Sequence, residues 1–324
     1  MVVAAAVLAG CSASADPPSA RTNGEVRRLT AYVGPGAPGQ LHQVASGLGC
    51  HFTLATDYLD DRSWSGIADD QWDLARWQGS GYRMVWGVPM LPTSGGVSLA
   101  QGAQGSYNAY FVQLAQHLVA AGMGRSILRL GWEFNQRSNP WYAAGQPAQF
   151  VGYWRQIVTS MRSVPGTHFE FEWNPDRGDN GGGDAAMGNL AAYYPGSSYV
   201  DVVALDVYDT AWRVYPGAAA EFQTVLTQRW GLDWLSGFGQ LVGKPLAIGE
   251  LGRGDGPAAP GSGPVTGPGA VSGGDNPVFV SDVVRWMSSH HVVESAFWDV
   301  GPTGMLSTSS PSMAGVVRHL CSTN

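Results

Sequence analysis

Glu133 and Glu250 each stand at the end of a short apolar run, Ile127–Gly131 in the first case and Pro245–Gly249 in the second. Two carboxyl groups facing one another across a bond are what glycoside hydrolysis needs. One protonates the leaving oxygen, and the other attacks the anomeric carbon or activates a water. Trp132, Trp141 and Tyr142 crowd around the first glutamate. Flat rings of this kind suit the faces of sugars. Arg129 lies four residues before Glu133. In a strand that spacing puts both side chains on one face, where a guanidinium favours the ionised carboxylate. A single glutamate at a strand end could equally be a salt-bridge partner or a helix cap. Two of them, each with aromatics nearby, point to chemistry.

Residues of the same character follow other apolar runs. Asp57 and Tyr58 come after Phe52–Thr56, and Asn174 and Asp176 after His168–Trp173. Asp206, Tyr208 and Asp209 come after Val200–Leu205, and Asp299 follows Val293–Trp298. With Leu29–Val33 and Tyr82–Val88 the runs number eight. Between them lie stretches of helical period. Tyr110, Phe111, Leu114 and Leu118 mark one, Phe150, Trp154, Ile157 and Met161 a second, and Phe279, Val283 and Trp286 a third. A last helix is expected from Pro311 to Leu320, capped by Ser309 or Ser310. Eight strand–helix alternations predict an α/β fold of the (β/α)8 TIM barrel type, as a single domain from residue 26 to 324. Such a barrel gathers its chemistry at the C-terminal ends of its strands. An open doubly wound sheet is the competing fold. The turn "VGPGAPG" after the first run lacks the GxGxxG spacing that such a sheet uses for phosphates.

The 324 residues carry a net charge of −7 with one lysine, Lys244, and no basic patch, so nucleic acid is not an expected partner. No cofactor motif stands out, and the three cysteines and seven histidines form no cluster that would hold a metal. A monomer acting on a polysaccharide or oligosaccharide is expected. Residues 1–10 are small and apolar, and Leu8-Ala9-Gly10-Cys11 is similar to a bacterial lipobox. They predict a lipoprotein-type signal peptide, lipidation of Cys11 and a flexible tether over 11–25, with membrane contact only through that anchor. Export would place the chain in an oxidising compartment, where Cys50 and Cys321 can pair. In a barrel, Cys50 follows the first helix and Cys321 ends the last. Closure makes these helices neighbours, so a disulfide at the N-terminal face is predicted.

The stretches "RLGWEFN…NPWYAAG" (129–145), "DVVALDVYD" (201–209), "KPLAIGELG" (244–252) and "AFWDVG" (296–301) resemble the clan A retaining β-glycosidases, and most closely glycoside hydrolase family 26, the β-mannanase family. The resemblance covers roughly residues 126 to 301. It implies Glu133 as acid/base, Glu250 as nucleophile, Tyr208 as a hydrogen-bond partner of the nucleophile, and Arg129 as support for the base of the site. It further implies that Trp141 and Trp298 line sugar subsites. Trp132, Asn135, Trp173, Asn174 and Asp206 complete the expected substrate-binding set. Family 26 has His, and most of the clan Asn, where this chain has Trp132, so mannan is expected to be a poor substrate. The loop Gly252–Asn276 reads either as a disordered insertion or as a lid over the cleft. Two other readings stand beside the retaining endo-β-glycosidase. One is an inactive cell-surface sugar-binding barrel, and the other a different barrel enzyme: a polysaccharide lyase, a hydrolase with another carboxylate pair such as Glu133 with Glu172 or Asp206, or a glycosidase acting on a different envelope glycan.

Overall fold

The computed structural model describes residues 28–178, 182–209, 217–254, 273–300, 304–306 and 308–323. The leader, the tether, Cys11 and most of the Gly252–Asn276 loop fall outside these residues. Eight strands follow one another along the chain: β1 (Arg28–Tyr32), β2 (Leu54–Tyr58), β3 (Arg83–Val88), β4 (Ile127–Leu130), β5 (Glu170–Trp173), β6 (Val202–Asp209), β7 (Leu246–Arg253) and β8 (Val292–Trp298). All seven ladders are parallel, in the order β1-β8-β7-β6-β5-β4-β3-β2. At the remaining seam, between β1 and β2, Thr56 Oγ1 donates to Thr30 Oγ1 at 3.4 Å. The sheet is a nearly closed (β/α)8 barrel, as the alternation predicts.

The helices are α1 (Pro38–Leu48), α2 (Trp64–Ala68), α3 (Gln71–Trp77), α4 (Leu99–Ala103), α5 (Asn108–Ala120), α6 (Pro147–Arg162), α7 (Ala218–Thr227), α8 (Leu232–Val242), α9 (Pro277–Ser289) and α10 (Pro311–Thr323). The apolar stripes of α5, α6 and α9 are those read from the periodicity. α6 buries Phe150, Tyr153, Trp154, Ile157, Val158 and Met161, and has Pro147 in its first turn, where a missing N–H costs nothing. α9 begins at Asn276, whose side chain accepts from Phe279 N at 3.1 Å. α10 gains a distant partner at its start. Its first amides, Ser312 N and Met313 N, donate to the Asp275 carboxylate at 2.9 and 2.8 Å, and Ala314 N donates to the carbonyl of Ser310 at 3.0 Å. Between β5 and β6 the chain makes two short 3-10 turns, Ala185–Met187 and Leu190–Tyr193, in place of an α-helix.

The main core lies between the sheet and the helices. The barrel interior is different. Small apolar clusters, Leu54–Val85–Ile127 and Val202–Ala204–Ala247, share it with the fully buried Arg129, Glu172 and Glu294. Burial pushes the Glu172 carboxyl up to about 7 and the Glu294 carboxyl to about 8. Arg129 moderates the first, and the neighbouring Glu172 reinforces the second.

At the N-terminal face Cys50 and Cys321 form a disulfide with Cα atoms 5.0 Å apart across 271 positions, as predicted. It ties the chain just after α1 to α10, the helices that follow the first and last strands of the barrel. Replacing both cysteines by serine is expected to lower unfolding stability by about 4–5 kcal/mol, the loop-closure figure for so long a link. Turnover should not change, because the bond lies at the face opposite the cleft. Denaturant titration of the variant and of the oxidised wild type measures this. A loss under about 1 kcal/mol would contradict it.

Candidate active site

A cleft of about 470 Å³ opens at the C-terminal ends of the strands. Its walls include Glu133, Glu250, Trp132, Tyr208 and Trp298, together with Tyr32, Tyr58, Gln136, Asp176 and Arg177. Glu250 is aimed into it by a defect in β7. Leu205 pairs with Ile248, but the next residue, Asp206, pairs with Glu250, so Gly249 is an extra residue in the strand. A bulge shifts the alternation of side chains by one. Ile248 joins the outer core, and Glu250, which would otherwise share its face, turns inward. Gly249 must be glycine there, because a Cβ would lie 2.0 Å from Asn174 Oδ1.

Four donors grip the Glu250 carboxylate. Tyr58 OH reaches Oε1 at 2.5 Å and Tyr208 OH reaches Oε2 at 2.5 Å. Arg129 Nη1 and Nη2 each donate to Oε1 at 3.2 Å. Arg129 is itself completely buried and fixed from every side. Its Nη1 donates to Tyr58 OH at 2.7 Å, and its Nη2 donates to both Asp206 oxygens at 3.0 Å. Nε and Nη2 donate to Asn174 Oδ1 at 2.9 and 2.6 Å, and Nε lies 3.2 Å from Glu172 Oε1. Arg129 therefore serves Glu250 rather than Glu133, contrary to the strand-face argument. β4 ends at Leu130, and the chain turns before it reaches Glu133.

Glu133 sits in that turn with φ 50°, a left-handed conformation that is rare for a residue with a side chain. Three bonds hold it there: its N–H donates to Asn174 O at 2.7 Å, and its carbonyl accepts from Gln136 N at 2.8 Å and from Asn139 Nδ2 at 2.9 Å. Burial raises the Glu133 carboxyl well above the ordinary range. The charges of Asp176, Glu250 and Asp206 add to the shift, and Arg129 opposes it. Glu133, Asp206 and Glu250 each place a carboxylate oxygen within 4.8 Å of the other two. Asp206 is also raised, first by burial and then by Glu250. Asp176 is pushed to about 6, mainly by burial, with Arg177 pulling the other way.

Of the expected substrate-binding residues, Trp132 and Trp298 reach the cleft. Their rings belong to an aromatic wall. Trp132 lies 5.0 Å from Tyr58 between centroids, and Tyr32 lies 4.6 Å from Trp298 and 5.0 Å from Tyr58. Trp141 and Trp173 do not reach it. Trp141 is 1% exposed, donates from Nε1 to Trp132 O at 2.8 Å and packs 4.7 Å from the Trp132 ring, so it props up a cleft-lining residue without being one. Trp173, at 0% exposure, points out of the barrel against Phe134 and Phe238, because β5 alternates and its neighbours Glu172 and Asn174 point in. Arg129, Asn174 and Asp206 lie one layer below the cleft floor. Asn135 is fully buried, with its amide bonded to Asp176 N and O at 2.8 and 2.6 Å.

Tyr32, Gln136, Asp176 and Arg177 line the cleft without standing among the residues expected there, and Tyr58 bonds Glu250 although no role is expected of it. Tyr58 and Asp176 were visible as polar residues after strands. Gln136, which donates to Asp176 Oδ2 at 2.9 Å, had no such signal.

The sequence model of glycosyl hydrolase family 26 matches residues 113–228. No curated protein sequence matches the chain. Among solved structures, the family 26 domain of an endo-β-mannanase/endo-β-glucanase from Prevotella bryantii aligns at TM-score 0.54 and 13% identity, covering 90% of this chain and 88% of that one. The catalytic domain of a Bacillus sp. JAMB-750 endo-β-1,4-mannanase aligns at 0.57 and 16%, covering 88% and 78%. A β-mannanase from Bacteroides ovatus aligns at 0.52 and 14%, covering 85% and 80%. At these identities the alignments speak for the shared barrel, and the matched segment holds Arg129, Glu133, Asp206 and Tyr208. With the family match laid over this barrel and this cleft, the chain resembles the family 26 glycoside hydrolases over residues 113–228 and shares their fold.

Proposed function

We propose that the protein is a retaining endo-β-glycosidase that cuts mannan or a related β-linked polysaccharide by double displacement, with Glu250 as nucleophile and Glu133 as acid/base. One observation carries this reading. Oxygens of the two carboxylates lie within 4.8 Å. Retaining pairs stand about 5–5.5 Å apart, whereas inverting pairs leave about 6.5–9.5 Å for a water between them. In the first step Glu250 attacks the anomeric carbon while Glu133, kept protonated by its buried and acidic surroundings, protonates the departing oxygen. Forming the ester removes the charge of Glu250, one of the causes that raise Glu133. The proton affinity of Glu133 then falls, and it can take a proton from the water that opens the ester. Tyr58, Tyr208 and Arg129 hold the nucleophile in line, and the aromatic wall receives sugar faces.

Trp132 bears on which glycan is cut. A histidine there would offer a small ring and a hydrogen-bond donor toward the sugar. The indole offers one N–H in a different place and a broad face. The informative experiment is a panel of mannan, glucomannan and mixed-linkage glucan, followed by NMR of the first product. The β-anomer should appear first. Mannan should be turned over more slowly than glucomannan, and Trp132→His should narrow that gap by about tenfold, the usual worth of one fitted contact. An α-anomer appearing first would overturn retention, and mannan as the best substrate would overturn the role given to Trp132. Export is part of the same proposal. The lipobox-like leader and the Cys50–Cys321 bond, which suits an oxidising compartment, both support it.

A further inference from the structure

The aromatic wall of the cleft has an outlying member. Trp72, on α3, is 57% exposed and is the one aromatic among the exposed large hydrophobic side chains of the described residues. Lone exposed apolar residues are ordinary. What distinguishes Trp72 is how it is held and where it stands. The Arg76 guanidinium lies 4.9 Å from its ring centroid, and Arg76 Nε donates to Gly36 O at 2.5 Å. Gly36 has φ +57°, and a Cβ there would come within 2.8 Å of Trp72 Cζ3 and 2.6 Å of Arg76 Cδ. The loop after β1 is thus moulded to the indole. Beneath it the buried Asp57 accepts from Gly36 N at 2.7 Å and from Trp77 Nε1 at 2.6 Å, which locks that loop and α3 to the end of β2. An indole fixed in this way has little side-chain freedom left to lose when something stacks on it.

Its position follows from the same contacts. Asp57 immediately precedes Tyr58, which bonds Glu250. Gly36 comes four residues after Tyr32, whose ring packs on Trp298, so their Cα atoms are at most about 14 Å apart. Trp72 therefore stands on the catalytic rim, just outside the Tyr32–Trp298 wall.

We propose that Trp72 is a distal glycan-binding platform. It takes the C–H face of a pyranose from the same neutral β-linked chain that occupies the cleft, some units away from the bond being cut. The proposal rests on the glycosidase reading above and extends it from a catalytic pocket to a long groove. The negative face of the indole suits the polarised C–H groups of a sugar, and Arg76 keeps the ring in register with the cleft.

The test compares a polymer that can span both places with a substrate that fills the cleft alone. The probes are glucomannan and 2,4-dinitrophenyl β-cellobioside. Trp72→Ala should raise KM for glucomannan about five- to tenfold, the scale of one lost stacking contact, with kcat nearly unaltered. On the short glycoside kcat/KM should move by less than about twofold. Trp72→Phe should recover most of the polymer KM. Leu241→Ala, which trims another exposed apolar side chain, should affect neither probe. In native gels containing glucomannan, Glu250→Ala should be retarded and the Trp72→Ala/Glu250→Ala double variant should run ahead of it. Unchanged polymer KM and unchanged retardation in Trp72→Ala would overturn the platform and leave the glycosidase reading standing. Equal losses on both probes would also overturn it. Failure of the wild type to turn over either probe would overturn the glycosidase reading, and the platform with it.

Discussion

Glu250→Ala is expected to lower kcat on polysaccharide by a factor on the order of 10⁴–10⁶, the loss seen when a nucleophile is removed from an otherwise intact site. The fold should survive, because two of the three side chains that hold Glu250, Tyr58 and Arg129, have other partners. Tyr58 keeps Arg129, and Arg129 keeps Asp206 and Asn174. The vacated space also permits a stereochemical test. Azide is small enough to enter where the carboxylate stood and would attack from the same face, giving a glycosyl azide of inverted, α configuration. Kinetics on glucomannan, with product NMR in azide, would measure both effects. A Glu250→Ala variant that keeps more than about a hundredth of wild-type kcat would remove the nucleophile assignment.

Glu133→Ala should behave differently. The acid matters in proportion to how badly the leaving group needs a proton. On polysaccharide kcat should fall about 10²–10⁴-fold. On a 2,4-dinitrophenyl glycoside the first step should survive and the second, which lacks its base, should stall, giving a burst of phenolate followed by slow turnover. Azide needs no deprotonation, so it should restore turnover and give the β-glycosyl azide, the opposite anomer to that from Glu250→Ala. The pH profile adds a further check. Because its surroundings raise Glu133, wild-type kcat/KM should fall on the alkaline side as that proton is lost, and the variant should lack this limb for activated substrates. Equal losses on both substrate types, with no rescue by azide, would exclude Glu133 as the acid/base.

Both assignments came from strand-end glutamates, yet neither residue sits as a simple strand-end reading would have it. Glu250 lies within β7, and Glu133 lies beyond β4 in a left-handed turn. The signal survived because a barrel brings the ends of all its strands to one rim, so small errors in strand length do not move a residue to another face. The same insensitivity hid the difference between a wall residue and its support. Trp132 and Trp141 are both tryptophans after β4, and only packing decides that the first faces the cleft and the second its neighbour.

The sequence by itself determined the eight strands, the helices that carry clear apolar stripes, the barrel and the pairing of Cys50 with Cys321. These follow from short-range periodicity and from the closure of a repeating unit, and both are properties of the order of residues along the chain. Only the tertiary structure decided where the charges went. Along the chain Arg129 is a neighbour of Glu133, and in the barrel it spans to Glu250, 121 positions away. Tyr58 meets Glu250 across 192 positions, and the first amides of α10 meet Asp275 across 37 and 38 positions. A buried guanidinium or carboxylate must find its partners wherever the fold supplies them, because leaving it unpaired costs more than any local preference returns. Gly249 had only its residue type to announce the bulge in β7. That bulge turns Glu250 into the cleft, and it became legible only when the strands on either side fixed its register.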